Sequence, residues 1–220
     1  MKAILCRPKF DEPTQHSFAF AGEILQWCQQ AGIDIIELAE DDAVRLAVEN
    51  SLQAFNPDIF VFYDHGSEDA LIGQDEKAVI DLKNCDRLAG KEVFTLACFS
   101  AKDLGPAVWR QGGTYWGYVD AFSFTTDSLA EFQEAANCGF KFRFIEEDTR
   151  QNSLQRAKET FNRLSLELVD VGNPFAAICM RGDGDALVYL NAHKPEEEEK
   201  EGCLLAFLKL PIRGFSHRAD

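Results

Sequence analysis

A chain of 220 residues with a 46% apolar composition and 18 Phe can bury a sizeable core, which excludes wholesale disorder. Its 22 basic and 37 acidic residues leave a formal net charge of −15. A surface this acidic repels phosphate backbones and anionic lipid, so neither nucleic acid nor membrane is expected as a partner, while basic substrates are compatible with it.

Residues 2–6 (KAILC) read as a first strand, followed by a helix over 17–31 with Phe20, Ile24, Leu25 and Trp27 or Cys28 near helical spacing. A second strand is expected at 33–38 (IDIIEL). A helix over 41–55 then carries Val44, Leu46, Val48 and Leu52, with Asp41 or Asp42 as its cap. Residues 58–63 (DIFVFY) and 92–97 (EVFTLA) are apolar on both faces, as central parallel strands are. A helix over 101–111 ends at Gly112-Gly113, and 114–119 (TYWGYV) is a fifth strand. This alternation implies right-handed crossovers and a parallel sheet with helices on both faces.

From residue 126 to 169 the pattern turns helical, in two or three helices. The apolar stretches 175–180 and 186–190 flank RGDGD and read as a hairpin or bent strand at a sheet edge. A charge run (KPEEEEKE, 194–201) reads as a solvated loop, and 202–210 as a last apolar strand. We expect one α/β domain over 1–220, with its core in 1–125 and the helical segment and final strands of 126–220 packed over the sheet.

Seven cysteines (Cys6, Cys28, Cys85, Cys98, Cys138, Cys179 and Cys203) form no CxxC pair. No basic-then-apolar leader opens the chain, and no apolar run nears the roughly 20 residues of a bilayer span. A reduced, cytoplasmic protein is the expectation, with most thiols serving as small buried hydrophobes.

One pair of residues departs from that bland role. His65-Gly66 lies just after the third strand and Cys98 directly after the fourth. Ligands of an open parallel sheet bind beyond the carboxyl ends of its strands. Neighbouring strands lie about 4.8 Å apart, so adjacency of these two would bring both side chains to one edge. A free thiol is mostly unreactive at neutral pH, and a nearby His can assist it and later protonate a leaving amine. The Gly66 and Cys98 amides, the latter expected at a helix start, would then form an oxyanion hole. His16, His193 and His217 read as surface residues. The missing GxSxG or GxCxG elbow disfavours α/β-hydrolase or glutaminase chemistry, and with no GxGxxG, P-loop or metal-ligand spacing neither a cofactor nor a metal is expected.

The stretches DIFVFYDHG (58–66), VIDLKNCDRLAGKEVFTLACFSA (79–101) and GGTYWGYVD (112–120) together resemble the caspase-haemoglobinase clan, especially its CHAT, separase and gingipain branches. NPFAAICMRGDGDALVYL is similar to the strand and Gly-Asp turn near the end of those cores. The caspase signature QAC[RQG]G is absent, LACFSA standing in its place. The resemblance implies a caspase-like three-layer α/β sandwich with a mostly parallel sheet. It also implies a cysteine endopeptidase with Cys98 as nucleophile and His65 as general acid/base, acting on a protein or peptide substrate, with an activating partner protein in some members. By the same resemblance Asp120, and after it Asp11, would hold a basic P1 side chain. The rival expectation is a catalytically inactive scaffold or regulatory binding module of the same fold. A flavodoxin-like binder fits the strand pattern but not the His/Cys pairing.

Overall fold

The computed structural model describes residues 1–190; the charge run, the expected strand at 202–210, Cys203, His193 and His217 lie outside the described residues. The elements run β1 (Lys2–Arg7), α1 (Glu12–Gln30), β2 (Asp34–Ala39), α2 (Arg45–Phe55), β3 (Ile59–Tyr63), β4 (Ala70–Ile72), β5 (Ala78–Asp81), β6 (Glu92–Leu96), α3 (Leu104–Arg110), β7 (Thr114–Tyr118), α4 (Leu129–Phe140), α5 (Arg150–Asp170), α6 (Pro174–Ala186) and β8 (Leu187–Leu190). Six strands form one sheet in the order β2-β1-β3-β6-β7-β8, and β4 and β5 form a separate hairpin between β3 and β6. The first five strands pair in parallel and β8 closes the edge antiparallel to β7.

Period-2 alternation sends successive strand residues to opposite faces, and two cores result. On one face Leu5, Val61, Tyr63, Phe94 and Trp116 meet α1, α4, α5 and α6 through Phe20, Ile24, Phe132, Phe140, Phe161 and Met180. On the other, Ile4, Phe60, Phe62, Val93 and Tyr115 meet α2 and α3 through Val48, Leu52, Leu104 and Val108. Every residue of β3 and of β7 is buried. Tyr63, Phe94 and Trp116 stack across β3, β6 and β7, with ring centroids 6.4 Å and 5.1 Å apart. Helix α4 comes so close that a methyl group added at Gly139 would stand 2.2 Å from Trp116 Cζ2.

Three local expectations are corrected. Helix α1 begins earlier than position 17: Asp11 caps it, Pro13 lies in its first turn, and Thr14 and Asp11 bond reciprocally as a capping box. The 41–55 helix divides into a 3₁₀ turn, Glu40–Asp42, and α2, so neither Asp41 nor Asp42 caps it. Arg45 anchors the start of α2, its guanidinium donating to both Asp81 carboxylate oxygens at 2.9 and 3.1 Å. The hairpin expected around RGDGD is instead the helix α6 followed by β8. Asn173 caps α6 through the Ala176 amide at 3.2 Å, and Gly184 sits where a methyl group would meet Phe161 Cβ at 2.7 Å. Gly184 marks close helix packing there, so tertiary contact overrides turn propensity. No helix among the described residues is long and apolar enough to cross a membrane.

At the amino end of β6, Glu92 ties the helical layer to the sheet. It accepts hydrogen bonds from Arg143 at 2.6 and 3.1 Å, from Arg150 at 2.7 Å and from the Tyr189 hydroxyl at 2.6 Å. Burial would push the Glu92 carboxyl up, but these donors outweigh it and hold the group below the usual glutamate range. Its stabilising contribution is therefore complete above that range and disappears as pH falls through the lower folded value. Glu92→Ala, which removes the carboxylate shared by Arg143 and Arg150, is expected to cost roughly 2–4 kcal/mol in urea unfolding at neutral pH. That deficit should shrink under acid conditions; a pH-independent deficit would assign the effect to lost packing.

Candidate active site

The parallel register of β3 and β6 sets Tyr63 beside Leu96, and the Asp64 amide extends the ladder to the Leu96 carbonyl at 3.1 Å. The chain then leaves both strands at the same level, so His65-Gly66 and Ala97-Cys98 turn outward side by side. A methyl group at Gly66 would stand 2.8 Å from the Cys98 carbonyl oxygen and 2.9 Å from Ala97 Cβ. The two turns are thus in direct contact, and only glycine permits it. Gly66 pairs with Leu71 through the flanking bonds Ser67 N–H to Ala70 and Ile72 N–H to His65. In such a pair the Gly66 amide faces away from β4.

The Cys98 turn is fixed on several sides. The Phe99 amide donates to the Asp120 carbonyl and the Ala101 amide to Tyr118, both at 3.0 Å. Buried Ser100 donates to the Ala97 carbonyl at 2.9 Å. Phe99 has a φ of 58°, a left-handed conformation costly for a bulky residue and sustained here by these bonds. Helix α3 starts only at Leu104, so the Cys98 amide does not sit at a helix N-terminus, contrary to expectation.

His65 is oriented by Asp11. The ring Nε2 donates to Asp11 Oδ2 at 2.8 Å, and Phe10 packs at 5.7 Å between ring centroids. A carboxylate can only accept, so Nε2 carries the proton and Nδ1 is the acceptor nitrogen of the neutral ring. Asp11 Oδ1 accepts the Thr14 amide at 2.9 Å as the cap of α1. Partial burial would raise the Asp11 carboxyl, but bonds from the Thr14 amide, the His65 ring and the Thr14 hydroxyl hold it below its usual range. Behind His65, Asp64 accepts the His65 amide; burial, aided by Asp11, pushes this carboxyl up to about 8.

Cys98 is half-buried. Its sulfur accepts the Phe122 amide at 3.3 Å and faces the Phe122 carbonyl at 3.7 Å. Burial pushes the thiol up, the Phe122 bond opposes this, and Asp183 and Asp120 add to the rise. Cys98 and His65 line one cleft of about 430 Å³, whose walls include Glu12, His16, Ser17, Asp64, Phe122 and Phe124. Burial pushes Cys28 and Cys138 up to about 12, which marks them as packing groups.

The structure brings His65, Gly66 and Cys98 together, sets Asp11 against His65, and leaves Asp120 outside the cleft walls. Asp11 is spent on His65 and the α1 cap. Asp120 is exposed, outside the cleft walls, with Oδ1 accepting the Ala121 amide at 2.8 Å. Sequence reasoning missed the cleft positions of His16, Asp64 and Phe122, and Asp183 behind them. His16, expected at the surface, packs edge-on against Phe124 at 5.5 Å. The capping pattern D-E-P-T was the one legible signal for the placing of Asp11.

Sheet order, helices on both faces and a site at the carboxyl ends of the strands make this an α/β fold of the caspase-like class. Among solved structures it is similar to the Arg-specific cysteine proteinase gingipain R, with a TM-score of 0.54 and 14% identity over 86% of this chain and 46% of that one. The chain thus spans less than half the length of that structure, and the likeness is one of fold. No family model matches the chain, and no curated protein does.

Gly66→Ala tests the contact between the turns. Overpacking against backbone is expected to cost about 1–3 kcal/mol and to alter the iodoacetamide reactivity of Cys98, read by mass spectrometry. Wild-type stability and reactivity in this variant would show that the turns do not touch.

Proposed function

We propose that the chain is a cysteine peptidase in which Cys98 and His65 act as a dyad. The observation that carries this reading is their common cleft, with His65 bonded to Asp11 and the two turns in contact at Gly66. In the proposed reaction Cys98 Sγ attacks the scissile carbonyl carbon as its proton passes to His65 Nδ1. That proton then leaves with the departing amine, and water hydrolyses the thioester, freeing the carboxylate and restoring the thiol. The Gly66 and Cys98 amides are the proposed oxyanion donors. Asp11 holds the ring with Nδ1 as base and stabilises the imidazolium that forms.

We further propose a protein or peptide substrate with a basic P1 residue. The cleft residues Glu12 and Asp64 carry carboxyl groups, and no Lys or Arg lines the cleft among the described residues. Of the two carboxylates expected to bind P1, Asp120 has the side chain less committed to internal partners. A reducing, cytoplasmic setting fits the six free thiols of the described residues.

A second reading has its own support. Burial and two nearby carboxylates keep the Cys98 thiol protonated, as suits a non-catalytic binding module of this fold or an enzyme awaiting an activating partner. An electrophilic peptide probe separates the readings. The peptidase reading expects labelling confined to Cys98, abolished in Cys98→Ala and reduced about 10²–10⁴-fold in His65→Ala. Indifference of the labelling rate to His65 would favour the binding module. With the active enzyme, a peptide-library profile is expected to favour Arg over Lys at P1, with the preference weakened in Asp120→Ala. A preference for Asp or an apolar residue would end the basic-P1 proposal.

A further inference from the structure

The 181–185 stretch RGDGD has no part in the chemistry above, yet it places a buried carboxyl directly behind the cleft. Asp183 lies on the inner face of α6 and is 1% exposed. Its Oδ1 accepts the Ser123 amide at 2.9 Å, and its Oδ2 is buried without a hydrogen-bond partner. Ser123 belongs to the loop after β7 whose residues Phe122, Ser123 and Phe124 form one wall of the cleft. One residue earlier in that loop, the Phe122 amide donates to the Cys98 sulfur. A single carboxyl is therefore linked through two successive amides to the candidate nucleophile.

We propose that Asp183 is a positioning residue of this site: by holding the Ser123 amide it fixes the 121–124 loop, and so sets both the cleft wall and the hydrogen bond to Cys98 Sγ. This rests on the reading of Cys98 as the reactive thiol. The link also couples their charges. Titratable groups facing Asp183 are Tyr118 from β7, Cys98 from the β6 turn and Cys179 from α6 itself. None of these is a base. Facing Cys98 are Asp183 and Asp120, with Asp64, His65, Glu12 and His16 along the same cleft. Burial pushes the Asp183 carboxyl up to about 8, the Ser123 bond opposing this, so near neutral pH it is mostly the uncharged acid. In that form it positions the loop without placing a negative charge beside the sulfur. Above that range it ionises and opposes formation of the thiolate.

The test needs no substrate. Iodoacetamide alkylation of Cys98 in the whole protein is followed by mass spectrometry from about pH 6 to 10, spanning the Asp183 and thiol ranges. The wild-type profile is expected to be broader than a single ionisation, with a break near the Asp183 value of about 8. Asp183→Asn keeps an acceptor for Ser123 and removes the charge. It should reduce the break near 8 to what Asp64, also pushed up to about 8 in the same cleft, contributes, and speed alkylation about threefold at the alkaline end, the effect of a shift of about half a pH unit. Amide hydrogen exchange reads the positioning separately. Protection of the Phe122 and Ser123 amides should persist in Asp183→Asn and fall about tenfold or more in Asp183→Ala, in line with the loss of one hydrogen bond. A wild-type profile that follows one ionisation overturns the charge coupling, however the variants fold. Unchanged protection in Asp183→Ala overturns the positioning role. Failure of Cys98 to alkylate over the whole range, with Cys179 modified as a control, would count against the thiol reading itself.

Discussion

Everything at the candidate site depends on the in-register parallel pairing of β3 with β6. Because Tyr63 stands beside Leu96, the residues two further along each strand, His65 and Cys98, emerge at one level of one sheet edge. A slip of a single residue would send either side chain to the opposite face. The register is held from both cores at once, since β3 is buried on both faces and its aromatic residues interlock with those of β6 and β7. It is also held at the bottom, where Glu92 accepts from α5 and β8 at the start of β6. The chemistry at the top of the strand therefore rests on packing and ion pairs at its base.

A second tie fixes the third member of the site. The Tyr63 hydroxyl donates to Asn137 Oδ1 at 2.8 Å, and Asn137 Nδ2 donates to the Phe20 carbonyl at 2.9 Å and to Glu23 at 2.8 Å. This buried network fastens the last residue of β3 to α4 and α1. Helix α1 in turn carries Asp11 at its cap. A polar network buried in a core is costly unless every member is satisfied, and this one is spent on setting α1 against the strand that leads to His65. The Asp11–His65 bond thus follows from the placing of two rigid elements more than from the short loop between them.

What was legible in the sequence is what depends on local periodicity. Strands such as DIFVFY and EVFTLA announce burial on both faces, and their order announces the parallel crossovers, so the edge where His65 and Cys98 meet could be read from their offsets once the two strands were taken as neighbours, which the sheet order bears out. What was not legible depends on contacts between distant segments. Nothing near RGDGD says that Phe161 of α5 will press against Gly184, which is what makes that stretch a helix and turns Asp183 inward. Nothing near Asp120 says that its backbone carbonyl will accept the Phe99 amide and so help fix the Cys98 turn. Asp11, expected to meet a substrate cation, stands beside His65 as the cap of α1, and both partners draw on the same carboxylate.

The electrostatics then make sense of an arrangement that at first opposes nucleophilic chemistry. A thiol is activated by positive surroundings, yet Cys98 sits among carboxyl groups. Two of these, Asp64 and Asp183, are pushed up to about 8 by burial, and near neutral pH they are largely uncharged hydrogen-bonding groups. Their cost to the thiolate appears only when they ionise. Asp11 behaves in the opposite way: its donors, the Thr14 amide and the His65 ring among them, hold it below its usual range and keep it charged. Burial thus sorts chemically identical side chains into a charged one that orients the His65 ring and neutral ones that hold the backbone around His65 and Cys98. Burial raises the Cys98 thiol, and charge brought into the cleft would act on it by the same rule. A cation bound there would favour the thiolate, and a bound anion would suppress it.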